Sequence, residues 1–219
     1  MFSGSSPFSD YVDTTFLTIT GISLLVLLGL LIAMVTFVIR YSRKKNPHPT
    51  NIEGHIPLEL TWTVIPLILF MGMFYMGWQD YLTELKVPEN AVPIKVTAQM
   101  WKWTFEYPNG VHTDTLYIPM NVPIKCLLHS LDVNHSFYIP AFRIKKDVIP
   151  NRENVMWFKT VREAAYDIAC AEYCGLEHSY MYTKVISKDS ADFDHWYRTR
   201  SLQQSKPVGP FMNSAKQPD

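Results

Sequence analysis

The sequence predicts an α+β membrane protein: an N-terminal hairpin of two transmembrane helices, followed by an all-β sandwich or barrel. Three observations predict it. Residues 14–39 contain no charged side chain, and residues 60–79 form a second apolar run. From about residue 88 the chain becomes a series of short segments rich in Val, Ile, Tyr, Phe and Trp, broken by Pro, Asn and Gly. Such spacing is the pattern of strands and turns, not of helices.

The first run holds the core GISLLVLLGLLIAMVTFVI. A bilayer core needs roughly 20 apolar residues in a helix, so this run is long enough to span. The residues before it carry no Lys or Arg, whereas a cleaved signal would have a basic start and a shorter apolar stretch. A retained helix is therefore expected. The second run, LTWTVIPLILFMGMFYMGWQ, contains Pro66, which membrane helices tolerate better than soluble ones. Spans are expected at about 14–40 and 58–80, within a hairpin unit of residues 1–87. Between them lie Arg40, Arg43, Lys44 and Lys45, directly after the first span. Positive loops stay inside, so this loop is expected in the cytoplasm and both termini outside.

Residues 88–187 form the β unit. Asn109-Gly110 is a turn signal after the aromatic run WKWTFEY. Residues 188–219 are expected to form a C-terminal helix and tail. Ser190 is the candidate N-cap of that helix, with Asp192 and Asp194 early and Arg198 and Arg200 late. Residues 205–219 have the composition of a disordered tail.

Lys plus Arg equals Asp plus Glu, 20 of each, so the basic excess of a nucleic-acid binder is missing. There is no CxxCH for a covalently attached haem, no GxGxxG and no P-loop. Three cysteines make a poor disulfide framework. Two of them open the strongest local signal, CAEYCGLEHSYM, which places Cys170, Cys174, His178 and Met181 within one short loop. Thiolate, imidazole and thioether together form a soft ligand set that favours copper; zinc sites rarely use Met. Gly175 would let the chain fold back tightly. A second imidazole is needed. His135, in DVNHSFYIP, is the best upstream candidate and His129 competes with it. A lone His is equally often a core residue. Asp132 is either an acid supporting the ligands or a plain turn residue. Cys126 reads as a small buried hydrophobe.

These motifs together resemble subunit II of cytochrome c oxidase, from the first span to about residue 200. The resemblance implies a cupredoxin-like Greek-key β domain holding a dinuclear copper A centre, and no haem in this chain. His135 and His178 would be the terminal imidazole ligands, Cys170 and Cys174 the bridging thiolates, and Met181 a ligand of one copper. Glu172 would bind the other copper through its backbone carbonyl. Its side chain would reach a magnesium ion shared with subunit I. Trp101 would receive electrons from cytochrome c. Glu59, just before LTWTVIP, would stand at the mouth of a proton channel in subunit I. Subunits I and III, a cytochrome c or cytochrome c domain as electron donor, and the lipid bilayer are the implied partners. The implied location is the bacterial inner membrane with the copper domain on the periplasmic side, in preference to a mitochondrial inner membrane. Met100, Lys102, Asn151 and Ala164 depart from residues common in the family, and Lys102 adds positive charge beside Trp101.

Plainer readings exist for three residues. Trp101 and Trp103 suit ordinary sandwich packing, and Glu59 suits a helix start, where an acid complements the dipole. Three other functions compete: a quinol oxidase subunit II, which lacks the copper ligands; a membrane-anchored cupredoxin or copper carrier, which needs no two-span hairpin; and a nitrous oxide reductase, which needs a large further domain.

Overall fold

The computed structural model describes residues 4–48, 50–51 and 53–204. The disordered tail expected over 205–219 lies outside the described residues. The chain divides into two compact units between Lys86 and Val87.

The first unit is a helical hairpin of α1 (Pro7–Arg40) and α2 (Ile56–Leu85). Both run a few residues beyond the expected spans. Pro7 occupies the first turn of α1, where its missing N–H costs nothing. The helix stops beside the basic loop, with the Tyr41 amide donating to the Phe37 carbonyl. In α2 the start is capped reciprocally. The Leu58 amide donates to His55 Nδ1 at 3.1 Å, and the His55 amide donates to Glu59 Oε1 at 3.1 Å. The helix continues through Pro66. Thr15 Oγ1 donates to Asp80 Oδ2 at 2.7 Å, pinning α1 to α2 near one end of the hairpin. Only Phe8 and Ser9 of α1 are buried, and no residue of α2. Two helices this apolar and this uncovered are membrane spans by composition and length.

The second unit is a sandwich of two five-stranded sheets. Its strands are β1 (Val92–Gln99), β2 (Lys102–Glu106), β3 (His112–Thr113), β4 (Leu116–Pro119), β5 (Ile124–Ser130), β6 (His135–Ile139), β7 (Ile144–Val148), β8 (Asn154–Phe158), β9 (Ala164–Cys170) and β10 (Tyr182–Lys188). One sheet has the order β3-β2-β1-β5-β8 and the other β4-β10-β9-β6-β7. Pairs β1–β5 and β10–β4 are parallel; the rest are antiparallel. Period-two alternation sets the faces. Ile94, Val96 and Ala98 of β1 point inward, as do Ile124, Cys126, Leu128 and Ser130 of β5. Phe105, Phe137, Phe142 and Phe158 fill the middle, with Phe105 edge-on to Phe137 at 6.2 Å.

Residues 116–130 and 135–148 each hold two strands. Asn121, at φ 59°, and Pro123 separate β4 from β5. Pro140 opens a 3-10 turn and Arg143, at φ 60°, ends it, so β6 returns as β7. Asn151 also adopts the left-handed conformation, at φ 59°. Asn is the side chain that best tolerates it after Gly.

Helix α3 (Ser190–Gln204) closes the unit. Its cap is Asp189, one residue before the expected Ser190. Asp189 Oδ1 accepts from the Ala191 amide at 2.9 Å, and its carbonyl accepts from the Phe193 amide. Asp and Ser cap about equally well, and β10 running to Lys188 leaves Asp189 at the cap position. Trp196 stacks on Tyr117 at 4.4 Å. Gln204 both accepts from and donates to the backbone of His112, at 3.0 and 2.9 Å, and so satisfies edge strand β3.

Candidate metal centre

The soft ligands meet at one end of the sandwich. Strand β9 ends on Cys170, opposite Phe137 of β6, and β6 begins with His135. The loop after Cys170 returns through a 3-10 turn at His178–Tyr180 into β10. Two backbone bonds close it: the Cys170 amide donates to the Met181 carbonyl at 3.2 Å, and Ala171 to Ser136 at 3.0 Å. Gly175 makes the reversal with φ 125°, a conformation L side chains rarely adopt. A Cβ there would also lie 3.3 Å from the Trp101 indole.

The sulfurs and ring nitrogens form a continuous chain of contacts. His135 Nδ1 is 3.8 Å from Cys170 Sγ, which is 3.7 Å from Cys174 Sγ. Cys174 Sγ is 3.5 Å from His178 Nδ1 and 3.9 Å from Met181 Sδ. The Glu172 carbonyl lies 3.3 Å from Cys170 Sγ, while the Glu172 side chain points into an exposed region. His135 and Met181 are fully buried, and Cys170 and Cys174 nearly so. Both cysteines are free. Their separation is far beyond the roughly 2.05 Å of a disulfide, yet suits two thiolates that share metal at about 2.3 Å from each sulfur. The residues therefore fit a soft metal such as copper: two thiolates, two imidazoles, a thioether and a carbonyl converge, with His135, Cys170, Cys174 and Met181 buried and His178 partly exposed.

Electrostatics prepare the site. Burial pushes the Cys170 thiol up, but its contacts with His135 and with the backbone at Ser136 and Glu172 outweigh it and hold the pKa at about 6. Burial and the neighbouring Cys170 sulfur push Cys174 up to about 12. One thiolate thus exists near neutral pH before any metal arrives. Burial alone would lower the His135 pKa; contacts with Cys170 and Asp132 reverse this and raise it.

Around this centre stand the other residues that the sequence singles out. His129 lies on the partly exposed face of β5, opposite Thr97, away from the cluster of His135, Cys170 and Cys174. Asp132 touches His135, with Oδ1 2.8 Å from Nε2. Trp101 is half-buried against Gly175, and its Nε1 is buried with no hydrogen-bond partner among the described residues. Lys102 beside it is exposed. Glu59 belongs to the helical unit, where it caps α2. One contributor has no sequence signal beyond its inward phase: Trp103 donates from Nε1 to the Met181 carbonyl at 3.4 Å and packs edge-on to Phe137 at 5.2 Å.

Two family models match. One describes the transmembrane domain of cytochrome c oxidase subunit II and covers residues 2–76; the other describes its periplasmic domain and covers residues 111–188. The chain belongs to the cytochrome c oxidase subunit II family. Cytochrome c oxidase subunit 2 of Alkalihalophilus pseudofirmus is 32% identical over 213 residues, 91% of this chain and 62% of that protein. The subunit 2 of Cereibacter sphaeroides is 25% identical over 233 residues, 85% of this chain and 77% of that protein. The chain thus spans about three fifths of the first relative's length. Among solved structures, the periplasmic domain of subunit II of cytochrome oxidase from Bradyrhizobium japonicum superposes with a TM-score of 0.52 at 28% identity. It covers 54% of this chain and 99% of that one. A membrane hairpin followed by a cupredoxin-like sandwich is thus the architecture of this chain.

Proposed function

We propose that this chain is the copper A subunit of a cytochrome c oxidase. It takes electrons from cytochrome c and passes them to the haem of subunit I, where oxygen is reduced to water with proton pumping. The observation that carries this reading is the convergence of His135, Cys170, the Glu172 carbonyl, Cys174, His178 and Met181 at one water-poor end of the sandwich. A dinuclear copper centre held there would supply one-electron transfer with little rearrangement, because protein atoms fill its coordination and leave no place for substrate.

The residues of this chain divide the remaining work. Trp101 offers an indole against the copper loop and is the acceptor for the cytochrome's electron. Glu172 presents its carboxylate outward for a magnesium ion shared with subunit I. Glu59 is an acid at a span boundary, where an ionisable group is affordable, and delivers protons to a channel of subunit I. The loop of Arg43, Lys44 and Lys45 faces the cytoplasm, and the copper domain the periplasm, in the inner membrane of a bacterium. Subunit III is a further partner. The ligand set argues against a quinol oxidase subunit, and the hairpin argues against a free copper carrier.

Reduction of the purified oxidase by cytochrome c tests the reading. Replacing Trp101 by Ala should slow electron transfer far more than it weakens docking. Unchanged reduction kinetics would reject Trp101 as the acceptor, and purification of the chain without a haem-bearing subunit would reject the oxidase assignment.

A further inference from the structure

We propose that Asp132 is a positioning residue for the metal centre: its carboxylate sets the tautomer and donor strength of His135 and ties the turn bearing Trp101 to the same ligand. The inference rests on the copper reading above and deepens it.

The geometry is specific. Asp132 sits in the turn between β5 and β6. Its Oδ1 accepts from the Val133 amide at 2.7 Å and faces His135 Nε2 at 2.8 Å; its Oδ2 accepts from the Met100 amide at 2.7 Å. Ser130 Oγ adds a longer contact to Oδ1, at 3.4 Å. An ionised carboxylate only accepts, so the Nε2 that faces it must carry the proton. Nδ1 is then the free lone pair, and Nδ1 is the atom directed at Cys170.

Two consequences follow from a carboxylate behind a ligating imidazole. It increases the basicity of the ring, and such partners typically contribute about 10–100-fold to metal affinity. It also places negative charge beside the centre, which favours the more positive, oxidised form. The second oxygen reaches the residue immediately before Trp101. One side chain therefore holds both the ligand and the turn that presents the indole.

The test uses the purified oxidase complex carrying Asp132→Asn or Asp132→Ala. Asn keeps an oxygen for the Met100 amide but removes the charge. It should raise the midpoint potential of the centre, with the oxidised-to-reduced ratio at fixed ambient potential falling about tenfold, or about 59 mV for one electron. Copper affinity should fall about 10–100-fold. Ala should do the same and, having released the turn, also slow reduction by cytochrome c beyond the Asn variant. A wild-type potential and wild-type affinity in Asp132→Asn would overturn the proposal. A second readout needs no variant: imidazole nitrogen resonances of the metal-free full-length chain in detergent should show His135 protonated at Nε2. Protonation at Nδ1 with Nε2 bare would overturn the proposal as well. A wild-type complex that binds no copper would instead refute the copper reading, and the tautomer would still judge Asp132.

Discussion

In α2 no residue is buried, whereas in β6 four of five are. The two segments are similarly rich in apolar and aromatic side chains, so composition alone does not distinguish them. The difference lies in what covers them. The hairpin exposes Leu25, Leu30, Ile32, Val38, Ile68 and Phe70 by about two thirds of their surface. Its apolar surface is stabilised only by a surrounding that is itself apolar, and the few polar groups it keeps, such as the Thr15–Asp80 pair, satisfy each other. The sandwich makes its own interior. That interior can then hold polar and sulfur-bearing groups, because the chain around them supplies hydrogen bonds: Asp132 to His135, Ser187 to Thr160, Trp103 to the Met181 carbonyl. A lipid-facing helix has no such means, which is why the metal ligands gather in the sandwich.

Truncations in the two units sharpen this contrast most. Phe137→Ala removes a ring packed between Trp103 and Phe105 and should destabilise the sandwich by about 3–5 kcal/mol. Thermal loss of the β-sheet circular dichroism signal would show it. Leu28→Ala, on the hairpin, should leave that transition in place. Equal shifts for both variants would break the contrast.

A charge gives the next largest effect. Leu30→Arg, midway along α1, should cost about 2.5–3.5 kcal/mol for membrane insertion. Leu202→Arg, on the exposed side of α3, should change stability by no more than about 0.5 kcal/mol. Membrane fractionation of the two variants measures the difference.

Thiol labelling then separates two kinds of buried sulfur within the sandwich. In the metal-free chain, Cys170 ionises at about 6, so its alkylation rate should fall only as the pH drops through that value. Cys174, pushed up to about 12, should label more slowly at neutral pH. Burial pushes Cys126 up and encloses it completely, so it should remain unlabelled until the chain unfolds. Peptide mass spectrometry across pH 5–9 (about neutral on either side) reads all three. Equal rates for Cys170 and Cys126 would contradict the electrostatic reading.

The smallest structural effect is expected at Glu59. Glu59→Gln keeps an oxygen for the His55 amide but loses the charge that complements the helix dipole, a cost of about 0.3–1 kcal/mol. Assembly should survive. Steady-state oxygen reduction should nonetheless fall, with reduction of the copper centre by cytochrome c unchanged. Normal turnover across pH in the assembled variant would reject the proton-delivery role and leave Glu59 as a cap.

Much of this was legible in the residue order, for stated physical reasons. Long uncharged runs read as spans because no other environment accepts them. Cys170, Cys174, His178 and Met181 were legible because they crowd one loop. His135 read as the better candidate, yet His129 competed with it, since both sit near strand ends. Pairing decides between them: β6 is hydrogen-bonded to β9, which ends on Cys170, whereas His129 faces away on β5. The contact of Asp132 likewise depends on a turn that folds it back onto the first residue of β6. The cap of α3 was misplaced by one residue because Asp189 and Ser190 are both good caps, and only the length of β10 chooses.

The central claim is that the sandwich binds two coppers in one thiolate-bridged, mixed-valence centre. Metal analysis of the purified complex, combined with electron paramagnetic resonance of the sandwich's copper, tests it most directly. The account predicts two coppers per chain sharing one unpaired electron, and their complete loss in Cys170→Ser, because the 3.7 Å Cys170–Cys174 pair has no substitute bridge. A fully loaded chain with a single copper and a simple blue-site spectrum would contradict it.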